Sequence, residues 1–149
     1  MWWTSPRRRS RIARPALEAA GLDIDCAFPE TLPVICDRLR IAQVIDNLLQ
    51  NAARHTDAPG MVRVAIWRDG NFAQVSTEDT PPAAPDGALP QLFDRFYRAE
   101  GSRSRALGGS GLGLPVSEAI VKAHGGTITA TASDLGGLKV TFTLPETRK

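Results

Sequence analysis

The chain has 149 residues, of which 42% are hydrophobic and 23% are charged, and this composition is typical of one ordinary globular domain. No apolar run approaches the roughly 18 to 20 residues that a membrane-spanning helix needs, so we expect a soluble, cytoplasmic protein with no membrane span. The two cysteines, Cys26 and Cys36, are too few to staple a domain of this length, and we expect two reduced, buried thiols.

The positive charge is concentrated at one end of the sequence. The formal net charge is +2, but five arginines lie in the first fourteen residues, which leaves 13 basic against 16 acidic residues elsewhere. We interpret residues 1–19 as a basic arm or linker and residues 20–149 as the folded domain. An arginine run at a terminus is usually a solvated tail, and the alternative is contact with anionic lipid, an acidic partner or nucleic acid. We predict no direct nucleic-acid binding.

The first half of the domain predicts a strand, a long helix and a hairpin. Residues 22–28 alternate apolar and acidic side chains, the pattern of a half-buried strand, and residues 31–36 could add a short second strand. Asp37 can cap a helix whose apolar residues recur at helical spacing as far as His55. Residues 61–78 then alternate around an Asp-Gly turn and predict a hairpin.

An irregular stretch follows the hairpin. Residues 79–85 contain three prolines, which lack a backbone donor and restrict φ, so we predict a loop there. A short helix over 88–97 leads into 98–110, which is polar, basic and glycine-containing, and which we predict to be a long mobile loop. Helical spacing returns from Gly111 to His124, where two glycines end the helix.

The last elements complete the fold class. Two alternating stretches, 127–132 and 139–144, flank a glycine-containing turn at 134–137 and predict a closing hairpin. We therefore predict an α+β fold, a two-layer sandwich in which a mixed, mostly antiparallel sheet of about five strands is covered by about three helices.

A polar stripe on the long predicted helix is the first candidate site. Gln43, Asn47, Asn51 and Arg54 recur at helical spacing, away from the apolar face. Asparagine is a weak helix former, so two of them in mid-helix suggest a use. Their amide oxygens can ligate a hard cation such as Mg²⁺, and the guanidinium can bind phosphate. The alternative is a merely solvated helix face.

The second candidate is the glycine-rich run at 108–114, which leads into a predicted helix start. Free N–H groups and the positive end of the helix dipole favour phosphate there, and the alternative is a flexible hinge. Neither the Gly-Lys-Ser/Thr of a P-loop nor a Gly-x-Gly-x-x-Gly spacing is present. Four arginines precede the run, as would suit a lid over phosphates or a soluble surface loop: Arg95, Arg98, Arg103 and Arg105.

Three further residues are each considered for a role on their own chemistry. Asp79 directly follows an apolar strand, from where its carboxylate could accept a hydrogen bond from a ligand at the sheet edge. His55 and His124 lie at or near predicted helix ends, and no cluster has zinc-ligand spacing, so we expect both histidines to be structural or exposed.

In chain order, these motifs resemble the catalytic ATP-binding domain of bacterial sensor histidine kinases, whose GHKL or Bergerat fold is shared with DNA gyrase and the Hsp90 chaperone. Residues 37–56 resemble the N box of that family, residues 92–98 its F box, and residues 109–114 its second glycine box. The resemblance covers about residues 20–146. The segment 102–105 is particularly similar to kinases of the envelope-stress sensor BaeS type.

The resemblance implies a role for each polar position of the N box and for the aspartate. Asn51 would ligate Mg²⁺, and Asn47 would assist near the γ-phosphate of ATP. Arg54 and His55 would approach the phosphates or the ribose. Asp79 would read the adenine amino group.

It also implies roles for the segment that follows. Arg103 or Arg105 would bear on the γ-phosphate as charge develops there. Phe93 and Phe96 would anchor the lid. The second glycine box would supply the remaining ATP contacts, through Gly109, Ser110, Gly111, Leu112, Gly113 and Leu114.

The sequence departs from the family in two respects. The first glycine box of the family reads Asp-x-Gly-x-Gly, whereas residues 79–83 keep the aspartate and have proline and alanine in place of the glycines. We also find no histidine-bearing dimerisation segment, and neither His55 nor His124 can be the phosphate acceptor, because both lie inside the ATP-binding region.

We therefore predict the ATP-binding component of a split two-component kinase. It would transfer the γ-phosphoryl group in trans to a histidine on a separate dimerisation protein, and through that protein to a response regulator. Any membrane association would come through that partner. Two alternatives remain: an anti-sigma-factor type serine kinase of the same fold, and a non-catalytic or decayed ATP-binding module.

Overall fold

A computed structural model describes residues 15–28, 32, 34–82, 89–93 and 113–146. The elements in chain order are β1 (Leu22–Ala27), α1 (Arg38–His55), β2 (Gly60–Asp69), β3 (Phe72–Asp79), a 3-10 turn (Leu89–Gln91), α2 (Gly113–Ala123), β4 (Ile128–Ala132) and β5 (Leu138–Pro145). Residues 15–19 form a further helical segment. The predicted long helix and both predicted hairpins are confirmed.

The five strands form one mixed sheet in the order β1-β2-β3-β5-β4. β1 pairs with β2 in parallel, and the three other pairings are antiparallel. The predicted α+β class and the mostly antiparallel sheet are therefore confirmed. The sheet register also decides which residues share the helix-facing side, because alternate residues of a strand point to opposite faces.

Helix α1 begins where the sequence places its cap. The Asp37 carboxylate accepts hydrogen bonds from the N–H groups of Leu39 at 3.1 Å and Arg40 at 3.3 Å. A cap of this kind contributes about 1 kcal/mol to stability. The helix closes at Thr56, whose N–H donates to the carbonyl of Ala52.

The core lies between the sheet and the helices. Val62 in β2, Val75 in β3 and Phe142 in β5 are at most 1% exposed and face the apolar side of α1. Burial of each such side chain contributes roughly 1.5 to 3 kcal/mol relative to exposure. Leu17 is also 1% exposed and belongs to the same core. The predicted basic arm, residues 1–19, therefore overlaps the packed domain at the helical segment 15–19.

Several local expectations change in the structure. Among the described residues of 31–36, only Ile35 forms a β bridge, so the possible second strand is reduced to one pairing. Asp79, predicted to begin a loop, is the last residue of β3, because it pairs with Val62 across the ladder. Cys36 is buried as predicted, but Cys26 is exposed, because β1 is an edge strand.

The region between β3 and α2 is described only in part. The 3-10 turn at Leu89–Gln91 stands at the beginning of the short helix predicted over 88–97. Residues 94–97 and the predicted mobile loop over 98–110 lie outside the described residues. Within the described part of the chain, no helix is long and apolar enough to cross a membrane.

Candidate nucleotide-binding site

Asp79 is a buried acid at the end of β3. It is 6% exposed, and its Oδ1 accepts a hydrogen bond from the N–H of Leu138 at 2.9 Å. Burial raises the pKa of the Asp79 carboxyl to about 6. The hydrogen bonds from Leu138 and the Thr56 hydroxyl oppose that rise, and the negative charge of Glu78 adds to it. A carboxylate that is costly to bury and that forms no ion pair with any described residue is a strong candidate for binding a ligand donor.

The turn between β4 and β5 packs against Asp79. The N–H of Gly137 donates to the Asp79 carbonyl at 3.0 Å. A Cβ atom at Gly137 would lie 2.0 Å from Asp79 Oδ1, so no larger residue fits without displacing the acid. Gly136 has a φ of +103°, and a Cβ there would lie 2.9 Å from Pro81. The glycine-containing turn thus packs directly against residues 79–81.

This contribution of the turn was not predicted from the sequence. The pattern at 134–137 indicates a hairpin turn, but it does not indicate that this turn contacts Asp79. Only the register of β3 with β5, in which Glu78 pairs with Lys139, brings the turn to the acid. No periodicity in the sequence reports that register, because the two strands are separated by about sixty residues.

Helix α1 leads from Asp79 along one side of the site. Its C-terminal end touches the acid through Thr56, and the N–H of Asp57 donates to the Pro81 carbonyl at 3.1 Å. Going back along the helix, Arg54, Asn51 and Asn47 are all half-buried. A rise of 1.5 Å per residue puts Asn47 about 13 Å from Thr56 along the helix axis. This length is comparable with that of an extended nucleoside triphosphate.

Two polar side chains on this helix are available for a ligand. Within the described residues, Asn51 makes no hydrogen bond with its side chain and Arg54 makes no ion pair. An amide oxygen is a suitable ligand for a hard cation such as Mg²⁺, and a guanidinium suits phosphate oxygens. The donor chemistry therefore fits a magnesium–phosphate group. No group of three or more His, Cys, Asp or Glu side chains in the described ranges could hold a metal by itself.

Asn47 is engaged with the other helix. Its Nδ2 donates to the carbonyl of Gly113 and to the hydroxyl of Ser117, each at 3.3 Å. Gly113 is the first residue of α2, and Leu114 beside it is buried in the core. Asn47, which is predicted to act near the metal and the γ-phosphate, therefore also joins α1 to the first turn of α2, next to the second glycine box.

The comparison with known proteins decides the family. A profile of the family described as histidine kinase-, DNA gyrase B-, and HSP90-like ATPase matches residues 36–148. The chain is a member of this ATPase family. The recognition made from the N box, the F box and the second glycine box is confirmed.

Individual relatives of this ATPase domain are sensor kinases. The signal transduction histidine-protein kinase BaeS of Escherichia coli is 40% identical over 132 residues, which cover 89% of this chain and 28% of BaeS. The sensor histidine kinase WalK of Bacillus subtilis is 38% identical over 116 residues, covering 76% of this chain and 19% of WalK. The chain therefore spans less than a third of the length of these curated relatives.

A solved structure confirms the architecture of the ATPase domain. The catalytic domain of the histidine kinase ThkA superposes with a TM-score of 0.81 at 26% identity, covering 95% of this chain and 92% of that one. The predicted fold class is thus confirmed by direct structural likeness as well as by the strand pairings.

The remaining predicted site residues divide into two groups. Phe93 is half-buried and packs against the core, and its role as an anchor stays a prediction. His55 is half-buried at the last position of α1. The others lie outside the described residues and stay predictions: Phe96, Arg103, Arg105, Gly109, Ser110, Gly111 and Leu112.

His124 has a structural role, as predicted. Its Nε2 accepts a hydrogen bond from the N–H of Asp37 at 3.1 Å, and its Nδ1 lies 2.8 Å from the carbonyl of Ile120. Because a carbonyl can only accept, the proton of the neutral ring is on Nδ1. The histidine thereby links the C-terminal end of α2 to the cap of α1.

Proposed function

We propose that this ATPase domain is the catalytic part of a two-component histidine kinase. It binds Mg-ATP and transfers the γ-phosphoryl group to a histidine on a separate dimerisation protein, which passes it to a response regulator. The observation that carries the proposal is the buried Asp79 carboxylate at one end of α1, with Asn51 and Arg54 available further along the same helix. Its kinase relatives support it.

Asp79 reads the base in this proposal. Its carboxylate accepts a hydrogen bond from the exocyclic amino group of adenine, while Oδ1 keeps the bond from Leu138. A base with a carbonyl at that position would set two acceptors against each other inside a buried site. The arrangement therefore selects ATP over GTP. Its Thr56 and Gly137 neighbours keep the acid in place.

The phosphates lie towards the other end of α1. Asn51 would hold Mg²⁺ through its amide oxygen, with Asn47 assisting, and Arg54 and His55 would contact the phosphates or the ribose. Backbone N–H groups of the second glycine box, including that of Gly113, would donate hydrogen bonds to the phosphate oxygens. When bound, Mg²⁺ neutralises charge on the phosphate oxygens.

Transfer itself is a single displacement. A nitrogen of the acceptor imidazole forms a bond to the γ-phosphorus as the bond to the β,γ-bridging oxygen breaks, and ADP leaves with that electron pair. Arg103 or Arg105 stabilises the charge that develops on the γ-phosphoryl oxygens. This chain supplies positioning and charge neutralisation, and the partner supplies the nucleophile.

In this proposal, neither histidine of this sequence is the phosphate acceptor. His124 is already bonded through both ring nitrogens, and His55 lies within the ATP-binding helix α1. The structural neighbour ThkA has been solved in complex with the response regulator protein TrrA, which supports a response regulator as the final recipient.

Titration calorimetry with ATP, with and without Mg²⁺, tests the nucleotide site. Asn51→Ala should leave the fold intact and lower the affinity for Mg-ATP about tenfold or more, while binding of metal-free ATP changes little. Asn71→Ala, which removes an exposed asparagine from the β2–β3 turn, is the matched control and should bind like the wild type. Equal loss in both metal conditions would remove the metal role of Asn51. No binding up to millimolar ATP would favour the non-catalytic module.

Phosphotransfer is tested with γ-labelled ATP and a separately produced phosphoacceptor segment of the BaeS relative. Label should appear on the acceptor and be lost in acid, as phosphohistidine is. Acid-stable label on serine would instead support the serine-kinase alternative. An acceptor that remains unlabelled at every ratio, beside a chain that binds Mg-ATP, would refute histidine transfer to this class of partner.

A further inference from the structure

Ser117 is a buried hydroxyl at the contact between the two long helices. It is 0% exposed, and its Oγ donates to the carbonyl of Gly113 at 2.8 Å. Asn47 Nδ2 reaches the same hydroxyl and the same carbonyl, each at 3.3 Å. The three groups form a closed triangle in which α1 provides the only donor nitrogen. No motif recognised in the sequence includes Ser117.

The triangle selects one orientation of the Asn47 amide. An asparagine amide has a donor end and an acceptor end, which exchange when the side chain flips. The Gly113 carbonyl can only accept, and the single proton of Ser117 is already directed at that carbonyl. The hydroxyl therefore offers lone pairs to Asn47. A flipped amide would place its oxygen against two oxygen acceptors, so Nδ2 faces α2 and Oδ1 faces away from it.

We propose that Ser117 is a positioning residue for the N box. It holds the Asn47 amide with Oδ1 turned away from α2, so that this oxygen is the end available to a metal ion or to a water bound to it. The inference rests on the proposed function, because it is the magnesium–phosphate group that would use Oδ1. A serine bonded to the carbonyl four residues earlier is common in helices. The distinguishing feature here is the second, inter-helical donor that the same hydroxyl accepts.

The first test uses the protein without nucleotide or metal. The side-chain amide of Asn47 is followed by ¹⁵N NMR in the wild type, Ser117→Ala and Ser117→Thr, with Ser76→Ala as a control for loss of another buried serine hydroxyl. Exchange of the Asn47 amide protons should be about tenfold faster in Ser117→Ala than in the wild type. It should be unchanged in Ser76→Ala and slow again in Ser117→Thr.

The second test measures ATP binding with and without Mg²⁺ in the same variants. Ser117→Ala should lose about three- to tenfold of the affinity gained from Mg²⁺ and keep the metal-free affinity, and threonine should restore the gain. Asn47→Asp provides an independent variant, because its second oxygen would face the Gly113 carbonyl and the Ser117 hydroxyl. It should lose the same gain even if Ser117→Thr fails to fold.

The outcomes separate this inference from the proposed function. Fast exchange of the Asn47 amide in the wild type, or equal effects of Ser117→Ala and Ser76→Ala, would refute the positioning role. If Ser117→Ala lowered the affinity equally with and without Mg²⁺, the positioning role would be refuted, and Ser117 would serve only to pack the two helices together. A wild-type chain with a protected Asn47 amide and no ATP binding would refute the proposed function, and with it the use of Oδ1, but not the orientation.

Discussion

Replacement of Asp79 by asparagine isolates the cost of the buried charge. Asparagine has nearly the same shape, and its carbonyl oxygen can keep the hydrogen bond from the N–H of Leu138, which is 2.9 Å long in the wild type. The variant lacks the ionised carboxylate. Burial disfavours this charged state in the wild type and thereby raises the pKa of Asp79 from 3.8 to about 6. We therefore expect Asp79→Asn to be more stable than the wild type at neutral pH.

The sign and size follow from proton linkage. Between pH 3.8 and about 6 the folded chain holds the Asp79 proton and the unfolded chain does not, so the stability of the wild type falls as the pH rises. Above pH 6, the rise of the Asp79 pKa from 3.8 to about 6 lowers the free energy of unfolding of the wild type by about 3 kcal/mol, at roughly 1.4 kcal/mol per pKa unit. At pH 5, about half of this loss of stability has already occurred. The advantage of Asp79→Asn should therefore be about 3 kcal/mol at pH 8 and about half that at pH 5.

Urea unfolding followed by far-ultraviolet circular dichroism, at pH 5 and pH 8 and without nucleotide, measures this difference. The denaturant dependence should be equal in the two proteins, so that midpoints can be compared directly. The same variant should lose ATP binding in spite of its higher stability. A variant that is less stable at pH 8, or an advantage that does not change between the two pH values, would refute the reasoning.

Two further predictions concern the supports of the site. Gly137→Ala should destabilise the fold by about 3 kcal/mol and weaken ATP binding, because its Cβ would lie 2.0 Å from Asp79 Oδ1. Gly70→Ala, where φ is +60° and nothing lies within 4 Å, should cost only about 1 kcal/mol and leave binding unchanged, as urea unfolding and calorimetry would show. His124→Ala should cost about 0.5 to 1.5 kcal/mol in urea unfolding, because the hydrogen bond from the Asp37 N–H is lost; an unchanged unfolding midpoint would contradict that role.

Local signals explain the parts of the fold that could be predicted. The apolar spacing of α1, its Asp37 cap and the alternation in β2 and β3 act within a few residues, so the sequence reports them directly. The polar stripe with Asn47, Asn51 and Arg54 is equally local. The family resemblance rests on such short motifs as well, and it therefore does not depend on the sheet order.

Long-range pairing decides the chemistry of the site. Asp79 meets Leu138 across 59 positions, Asn47 meets Ser117 across 70, and Asp37 meets His124 across 87. The sequence predicted the aspartate, the asparagine and the cap, but not the partner of any of them. Each partner is set by strand register or helix packing, to which no short pattern corresponds.

The sequence by itself therefore determined the long helix, the two hairpins, the order of these elements, the fold class and the family, since periodicity, caps and short motifs depend on neighbouring residues. Only the tertiary structure decided that Asp79 is a buried acid with a raised pKa, that the Gly137 turn closes behind it, and that Ser117 orients the Asn47 amide. Burial and hydrogen-bond partnership are properties of packed surfaces. They arise only when segments far apart in the chain are brought together.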